Sequence, residues 1–415
     1  MRKIDLNNFQ VATSETARDV NSRIMLNLVR KHQPVSRADL MRFSGLQRST
    51  VSVIADQLIS ERWLREGALG QALRGRKPTY LHLNEERAGI FGINLQPGNT
   101  DLALANLGGK ILYQESLRTP ASTEIFVETV AGKVREWMKK HPEMTYDSIG
   151  VSLPGRVDLQ SQQFVFAPNL GWKSTDLKAQ LEKATGLEVE MENAANACAL
   201  SEFWFGQHHD GVRNLVVVTV SEGIGVGMIL NGQIVRGSSG LAGEFGHVPL
   251  NESGPTCRCG NRGCWEQYAS DAALVRAWQE AGGVNKGPGG ILEDSLAIVR
   301  LARDGDVPSL RALRATARQL ALGFVNLIAA LNPQAIIMGE PFASAWDLVE
   351  DVVRAELWSR LPPYSLQGFR LLPSRIGADS ALRGAAALVL AHFLTRFDHT
   401  KDHSLPNGVS IQAHT

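Results

Sequence analysis

Residues 244–266 contain three of the chain's four cysteines, preceded by a histidine, in the order His-x9-Cys-x-Cys-x4-Cys. Zinc prefers thiolate and imidazole ligands, and a structural zinc site holds four of them in a closed tetrahedron. The sequence supplies one such set: His247, Cys257, Cys259 and Cys264. The alternatives are unrelated buried thiols, or a disulfide with a spare cysteine, but the close spacing and the intervening glycines favour a metal loop. Because no ligand position stays open, we predict structural rather than catalytic zinc.

Two carboxylates flank this loop. Glu244 lies three residues before His247, and Glu266 lies two residues after Cys264. We therefore expect the loop to bring both carboxylates close together. A zinc-bound histidine needs a partner for its second ring nitrogen, and two interpretations stay open. The carboxylates and the histidine can bind a polar ligand, or the carboxylates can simply support the zinc loop through hydrogen bonds.

Composition and charge limit the class of protein. The chain has 415 residues, 44% of them hydrophobic, which suits two or three soluble domains. The sequence contains neither a membrane-length apolar run nor a secretory signal, and its cysteines suit a reducing compartment, so we predict a cytoplasmic protein without a membrane partner. The net charge of +1 hides an asymmetry, because residues 1–84 hold 14 Lys/Arg and 7 Asp/Glu, and the remainder holds 29 and 35. A basic N-terminal segment favours a nucleic-acid partner.

Apolar spacing in residues 1–84 predicts a helix-turn-helix. A helix over residues 14–31 precedes a short helix that begins with the capping pair Ser36 and Asp39 and ends at Gly45. A second helix begins near Gln47 and buries an apolar face. Two helices joined by a tight glycine turn are typical of DNA-binding units.

Two strand-like segments with a Gly- and Arg-rich tip follow, which predicts a wing. Arginines at such a tip suit a minor groove, and short polar side chains at the start of the second helix suit base edges and phosphates in a major groove. We predict DNA contacts from Ser36, Arg37, Gln47, Arg48, Ser49, Thr50, Ser52, Arg74 and Arg76.

From residue 89 strands alternate with helices, which predicts an α/β body. Here the motifs carry a resemblance: Glu-x-Gly-His followed by Cys-x-Cys-Gly-x-x-Gly-Cys-x-Glu is similar to the signature of the ROK family of bacterial sugar kinases and sugar-responsive repressors. The resemblance covers most of the chain. It implies a two-lobed, actin-like body with a structural zinc loop, behind a winged helix-turn-helix that the kinases of the family lack. We predict a DNA-binding domain over residues 1–84, a sugar-kinase-like effector-binding and oligomerisation domain over 85–398, and a disordered tail over 399–415.

The resemblance also identifies positions where this chain departs from the kinases. The first phosphate loop, Asp-x-Gly-Gly-Thr in the family, corresponds to residues 94–98, Asn-Leu-Gln-Pro-Gly, and proline has no N–H to offer a phosphate. The second loop has Glu222 where the family has threonine. The aspartate that serves as catalytic base corresponds to Ala194, which cannot accept a proton. The family's Gly-Gly-Gly on the adenosine side corresponds to residues 339–341, Gly-Glu-Pro. We therefore predict that the protein is not an enzyme.

The sugar side of the family pattern is present. The resemblance implies sugar contacts from Gly155, Asn169, Asn193, Glu244, His247 and Glu266. Amides, carboxylates and an imidazole suit hydroxyl groups that both donate and accept hydrogen bonds.

Together these patterns predict a sugar-responsive transcriptional repressor of carbohydrate uptake or catabolism genes. Its predicted partners are operator DNA, a monosaccharide or sugar derivative, and further copies of the chain in a homodimer or homotetramer. Two rival functions stay open: a bifunctional sugar kinase and regulator, and a regulator controlled by a protein partner.

Overall fold

The computed structural model describes residues 14–69, 78–158, 164–166, 172, 176–206, 211–284 and 295–395. The chain divides into two compact units, Met1–Arg87 with Leu390–Thr415, and Ala88–Val389. Several predicted features lie outside the described residues, namely Arg74, Arg76, Asn169 and the tail over 399–415. Within the described part, no helix is both long and apolar enough to cross a bilayer.

The N-terminal unit combines helices with a small antiparallel sheet of strand order β1-β3-β2. Its elements are α1 (Ser14–His32), β1 (Val35–Ser36), α2 (Arg37–Ser44), α3 (Arg48–Ser60), β2 (Leu64–Leu69) and β3 (Thr79–Leu83). The predicted cap is confirmed: the Ser36 hydroxyl accepts from the Asp39 N–H at 3.2 Å, and the Asp39 carboxylate accepts from the Ser36 N–H at 3.1 Å. Helix α2 ends at Gly45, whose φ of 71° is left-handed.

Helix α3 packs one face into the core of this unit. Val51, Ile54, Ala55 and Leu58 are buried, as the apolar spacing predicts. Strands β2 and β3 pair with Leu64 opposite Leu83, and they form the two sides of the predicted wing. The helix-turn-helix with flanking strands is therefore present as expected.

The first sheet of the larger unit has strand order β10-β7-β4-β5-β6. The elements of this region are β4 (Gly89–Leu95), β5 (Asn99–Asn106), β6 (Ile111–Arg118), α4 (Thr123–Lys140), β7 (Ser148–Leu153), β8 (Arg156–Val157), β9 (Phe164–Phe166), α5 (Leu177–Thr185), β10 (Glu188–Asn193) and α6 (Ala194–Phe205). Strands β4, β7 and β10 run parallel, so their carboxyl ends meet at one edge. Helices α4 and α5 cover the sheet with buried side chains such as Phe126, Trp137 and Leu181.

The second sheet has strand order β13-β12-β11-β14-β15. The elements of this region are β11 (Leu215–Val220), β12 (Ile224–Leu230), β13 (Gln233–Ile234), α7 (Glu266–Ala269), α8 (Asp271–Glu280), α9 (Ser295–Arg303), α10 (Val307–Leu331), β14 (Ala335–Met338), α11 (Trp346–Arg360), β15 (Arg370–Pro373) and α12 (Ser380–Thr395). The apolar run over residues 315–331 predicts a helix there, and α10 contains this run but begins earlier, at Val307. The Asp306 carboxylate caps it by accepting from the Ser309 N–H at 2.9 Å.

Helices α6 and α12 lie between the two sheets and pack at backbone distance. A methyl group at Gly150 of β7 would overlap the carbonyl oxygen of Ala385 in α12. One at Gly384 of α12 would overlap the carbonyl of Ala197 in α6, and one at Gly227 of β12 would overlap that of Ala195. The order of the layers is therefore first sheet, α12, α6 and second sheet, and at each of these contacts a glycine lies directly against a backbone carbonyl. This close packing fixes the position of the start of α6.

Candidate metal centre and ligand site

The four predicted zinc ligands converge. The ligand atoms of His247, Cys257, Cys259 and Cys264 all lie within 4.8 Å of one another. Cys257 Sγ lies 3.6 Å from His247 Nδ1, and Cys259 Sγ lies 3.7 Å from Cys264 Sγ. Ligands about 2.0–2.3 Å from a tetrahedral zinc ion are separated by roughly 3.5–3.8 Å. The cluster therefore has the dimensions of a four-coordinate metal site, with Nδ1 as the histidine ligand atom.

The backbone of the loop explains this convergence. Cys257 N–H donates to Asn261 O at 2.8 Å, and Gly260 N–H donates back to Cys257 O at 3.0 Å, which closes a tight turn between two cysteines. Gly263 adopts a φ of 67° against the carbonyl of Asn251, where a side chain would collide. Its own carbonyl accepts from Leu250 N–H at 2.8 Å. The glycines thus permit the three sulfurs to face one point.

The thiols differ in how readily they ionise without a metal. Burial, together with the thiol's hydrogen bond to the Glu266 carboxylate, raises the pKa of Cys257 to about 12. Burial also raises the pKa of Cys264. Burial opposes ionisation of Cys259 as well, but the Asn261 N–H and the two neighbouring thiols lower its pKa overall. A divalent cation at the centre of the cluster would favour all three thiolates.

The flanking carboxylates lie on both sides of the histidine ring. Glu266 Oε1 is 3.5 Å from His247 Nδ1 and accepts from the Cys257 thiol at 3.0 Å, whereas Glu244 Oε2 is 3.8 Å from His247 Nε2. The side chain of Glu244 is 55% exposed and that of Glu266 is 14% exposed. When Nδ1 binds a metal, Nε2–H faces away from it beside Glu244. An imidazole N–H and a carboxylate then face outward together.

Asn193 is held at the other side of the β11–β12 turn. It is the N-cap of α6, where its Oδ1 accepts from the Ala195 N–H at 2.9 Å and its Nδ2 donates to the Gly155 carbonyl at 2.8 Å. A methyl group at Gly225 would meet the side chain of Ala195, and one at Gly223 would meet the carboxylate of Glu266. The turn therefore links the start of α6 to the metal loop.

The segment that corresponds to the first phosphate loop forms a closed β-turn. Gln96 N–H donates to Asn99 O at 3.1 Å, and Thr119 Oγ1 donates to Gln96 O at 2.6 Å. Thr119 N–H bonds Gly98 O at 3.3 Å. Asn94, in place of the family's aspartate, is 3% exposed. The hairpin thus bonds the Gln96 N–H and the Gln96 and Gly98 carbonyls internally, and Pro97 has no N–H to offer a phosphate.

The other kinase-loop positions are also internally bonded. Ser221 N–H donates to Gly223 O at 2.9 Å. The Glu340 carboxylate accepts from Ser344 N–H at 3.0 Å and from its hydroxyl at 2.9 Å. Ala194 is the first residue of α6. A carboxylate lies at or beside each of these turns, which disfavours a polyphosphate.

The surface of α3 displays most of the predicted DNA contacts. Gln47, Arg48 and Ser49 are exposed, and Thr50 and Ser52 are half-buried. Gln47 makes no side-chain cap. Val53, which the sequence analysis missed, is 55% exposed, although it is apolar. It shares the outer ridge with Ser49 and Asp56, since residues three and four apart are neighbours on a helix. The sequence signal that could have identified Val53 is an aliphatic residue on the side of the helix opposite its apolar face.

Ser36 and Arg37 have partners within the unit. Ser36 is 6% exposed and belongs to the α2 cap. The Arg37 guanidinium lies 2.7 Å from the Asp56 carboxylate and 3.3 Å from that of Glu66. Their DNA contacts stay predictions. Arg37 neutralises two carboxylates in the same unit, one of them on the outer ridge of α3.

A winged helix-turn-helix unit followed by a two-sheet α/β unit with a Cys/His cluster defines a class of multidomain regulators. Residues 91–392 match the model of the ROK family, and the chain belongs to that family. The xylose repressor of Bacillus subtilis is 33% identical over 392 residues, covering 92% of this chain and 98% of the relative. A ROK family transcriptional regulator, described as a homolog of the E. coli MLC protein, superposes with a TM-score of 0.77 at 25% identity, covering 91% and 97% of the two chains.

Kinases of the family match a shorter stretch. A ROK family glucokinase from Streptomyces griseus, solved with glucose and AMPPNP, superposes with a TM-score of 0.63 at 29% identity. The match covers 99% of the glucokinase but 72% of this chain. The predicted family and the two-part architecture are confirmed.

Proposed function

We propose that this ROK-family protein is a sugar-responsive transcriptional repressor. The observation that carries the proposal is the extent of the similarity. A repressor relative is matched over 98% of its length by 92% of this chain. The glucokinase is matched over nearly its whole length by only 72% of this chain. The similarity therefore extends over the winged unit of a regulator as well as over the body, and we propose that the protein acts in the cytoplasm, where bacterial DNA lies.

We assign the Cys/His cluster to one structural zinc ion held by His247, Cys257, Cys259 and Cys264. The donor set and the 3.6–3.7 Å separations support zinc. The ion would keep the segment between Glu244 and Glu266 folded, with His247 Nε2 directed to the ligand side. Its contribution is to hold the loop, since all four positions are filled by protein groups.

The sugar would be bound by Asn193, Glu244, His247 and Glu266, with Gly155 and Asn169 as further contacts. The carboxylates accept from hydroxyl groups, and the imidazole N–H donates to them. D-Xylose and D-glucose are the first effectors to test, because the relatives include a xylose repressor and a glucose-bound kinase.

DNA would be bound by α3 in the major groove and by the wing beside it. Arg48 and Ser49 suit base edges or phosphates, Gln47, Thr50 and Ser52 flank them, and Val53 suits a thymine methyl group. Arg74 and Arg76 are proposed for the minor groove. A homodimer or homotetramer would place two such units on one palindromic operator.

The body would bind sugar without phosphorylating it. Phosphoryl transfer depends on positioned phosphates and a base for the attacked hydroxyl. Phosphate positioning is opposed by the turn at Gln96 and by the carboxylates of Glu222 and Glu340. The base is missing because Ala194 cannot accept a proton. A bifunctional kinase and regulator is the rival function, and control by a protein partner is a third.

The test measures operator binding with and without sugar. Duplexes selected by the wild-type protein from a random pool serve as probes, and fluorescence anisotropy reports affinity. We expect Arg48→Ala to weaken binding by about 1–3 kcal/mol. Arg354→Ala, which removes an exposed arginine from α11 of the other unit, should leave it unchanged. D-Xylose or D-glucose should release the duplex from the wild-type protein.

Three outcomes would contradict parts of this function. Failure to select any duplex would exclude a DNA-binding regulator. Normal operator binding without release by any monosaccharide would favour control by a protein partner. Sugar-dependent ADP formation in a coupled assay would favour the bifunctional kinase.

A further inference from the structure

An ion pair in the larger unit joins its two sheets. Glu192, the second-to-last residue of strand β10, is 4% exposed. Its Oε2 accepts from Arg236 Nε at 2.6 Å, and its Oε1 accepts from Asn196 Nδ2 at 2.9 Å and from the Asn193 N–H at 2.9 Å. Arg236 follows β13 of the second sheet, 44 residues along the chain. The pair is therefore a tertiary contact between strands that share no hydrogen-bonded neighbour.

The Glu192 end of this pair is buried, whereas the Arg236 side chain is 33% exposed. A buried carboxylate loses its hydration, and a well-packed apolar pair of similar volume is often equally stable or more stable. A contribution to folding stability therefore does not by itself explain why an ion pair occurs at this place. Its geometry, by contrast, ties two backbone segments together through a charge-assisted hydrogen bond, which is the stronger kind.

Both ends of the pair continue directly into proposed sugar contacts. On the first sheet the Glu192 carboxylate binds the N–H of Asn193, whose side chain also bonds Gly155. On the second sheet the Arg236 carbonyl accepts from Ala242 N–H at 3.1 Å, which closes a turn that ends at Gly243. A methyl group at Gly243 would overlap the Val226 carbonyl on β12, so the turn is pressed onto the sheet. Glu244 follows at once.

We propose that Glu192 and Arg236 are positioning residues that set the separation between the two halves of the sugar site. One half carries Gly155 and Asn193, and the other carries Glu244, His247 and Glu266. The inference rests on the proposed sugar-binding function and adds how its site is held together. A sugar that contacts both halves binds best at one separation, so it shifts the body toward the arrangement that has this separation.

The decisive variant removes both charges. Arg236→Met alone strands a buried carboxylate and can simply destabilise the fold. The double variant Glu192→Gln with Arg236→Met has no stranded charge, and the glutamine carbonyl can still accept from Asn196 and Asn193. Arg236→Lys keeps the positive charge, but the ammonium group directs its hydrogen bonds less strictly than the planar guanidinium does. The matched control is Arg314→Met, which breaks an ion pair between α10 and α11 at 2.6 Å, beside the second sheet only.

Two measurements are made on each full-length protein. Calorimetry gives the affinity for D-xylose and for D-glucose, and amide hydrogen exchange on the ligand-free protein reports the order of residues 193–197 and 236–244. We expect the double variant to melt near the wild-type temperature, to exchange faster in both segments, and to bind sugar at least tenfold more weakly. Arg236→Lys should recover part of that affinity, and Arg314→Met should match the wild type.

The outcomes separate this inference from the proposed function. A double variant with wild-type sugar affinity, or with faster exchange spread over the whole unit, overturns the positioning role and leaves sugar binding intact. If the wild-type protein binds neither sugar, D-xylose and D-glucose are excluded as its effectors. The exchange measurement then decides alone: faster exchange confined to the two segments supports the role of the pair, and unchanged exchange overturns it.

Discussion

The metal loop and the turns at the kinase-loop positions belong to the same unit but use their polar groups in opposite ways. In the metal loop, backbone bonds such as that from Cys257 to Asn261 direct three sulfurs and an imidazole toward one point. At the turn that corresponds to the family's first phosphate loop, the Gln96 N–H bonds the Asn99 carbonyl and the Gln96 carbonyl accepts from the Thr119 hydroxyl. The first arrangement gathers four donor groups that could hold an ion, whereas the second directs its bonds within the turn.

This difference shows how one scaffold can keep one half of a site while the other half changes. The outward groups near the metal loop, Glu244 and His247 Nε2, suit a polar ligand. The turns at Ser221 and Glu340 present or enclose carboxylates. Changes near the metal should therefore affect ligand binding strongly, and changes at the phosphate-side turns should affect only local stability.

The largest effect is expected from Cys264→Ser, since Cys264 is fully buried in the cluster. Losing one thiolate should take the zinc content from one ion per chain to none and abolish sugar binding. Elemental analysis and thermal-shift measurements check this. The matched control is Cys198→Ala in α6, because burial raises the pKa of the Cys198 thiol to about 11 and it lies outside the cluster. Zinc retained in Cys264→Ser would refute the ligand set.

A smaller effect is expected from Glu266→Gln. Hydrogen bonds to a charged group contribute about 1.5–3 kcal/mol, so sugar affinity should fall roughly 10- to 150-fold while zinc stays bound. Calorimetry and elemental analysis measure the two quantities. Glu252→Gln changes an exposed carboxylate of the same loop and should alter neither. Unchanged affinity in Glu266→Gln would mean that this carboxylate only supports the zinc loop.

Thr119→Val should change stability alone. Its hydroxyl bonds Gln96 O at 2.6 Å and the buried Thr100 hydroxyl at 2.8 Å, so the isosteric change should cost about 1 kcal/mol of unfolding free energy. Sugar affinity should stay within twofold of the wild type, roughly 0.4 kcal/mol. Denaturant unfolding and calorimetry test both. A tenfold loss of sugar affinity would show that this turn still belongs to the ligand site.

The smallest effect is expected from Ala194→Asp. An aspartate in the first turn of α6 is compatible with the helix dipole, so the variant should fold. ADP release in the presence of sugar should stay at background, because the phosphate loops are closed independently of the base. A glucokinase of the family serves as the positive control in the coupled assay. Steady sugar-dependent ADP release by this variant would show that the phosphate-side turns still support phosphoryl transfer.

The sequence allowed prediction where the determining residues are close together. The zinc ligands span 18 residues, and the α2 cap spans four, so spacing alone located both. The start of α10 was missed because the segment after Asp306 mixes arginines with apolar residues, although the capping aspartate was visible.

Contacts between distant segments could not be predicted. Nothing near Arg37 in the sequence indicates that Asp56 and Glu66 hold its guanidinium. The pairing of Glu192 with Arg236 depends on how two sheets face each other, which no local pattern encodes. The closed turn at Gln96 was likewise invisible, since Pro97 argued against phosphate binding but did not identify Thr119 as the partner.

The backbone contacts of α6 and α12 have a consequence for how this body tolerates mutation. At Gly150, Gly227 and Gly384 an added methyl group would overlap a main-chain carbonyl, which cannot rotate away as a side chain can. Relief would require a whole helix to shift relative to its sheet. Random mutagenesis should therefore find these three glycines among the least replaceable positions of the unit, whereas alanine-for-glycine changes at turns such as Gly98, with open space around them, should survive.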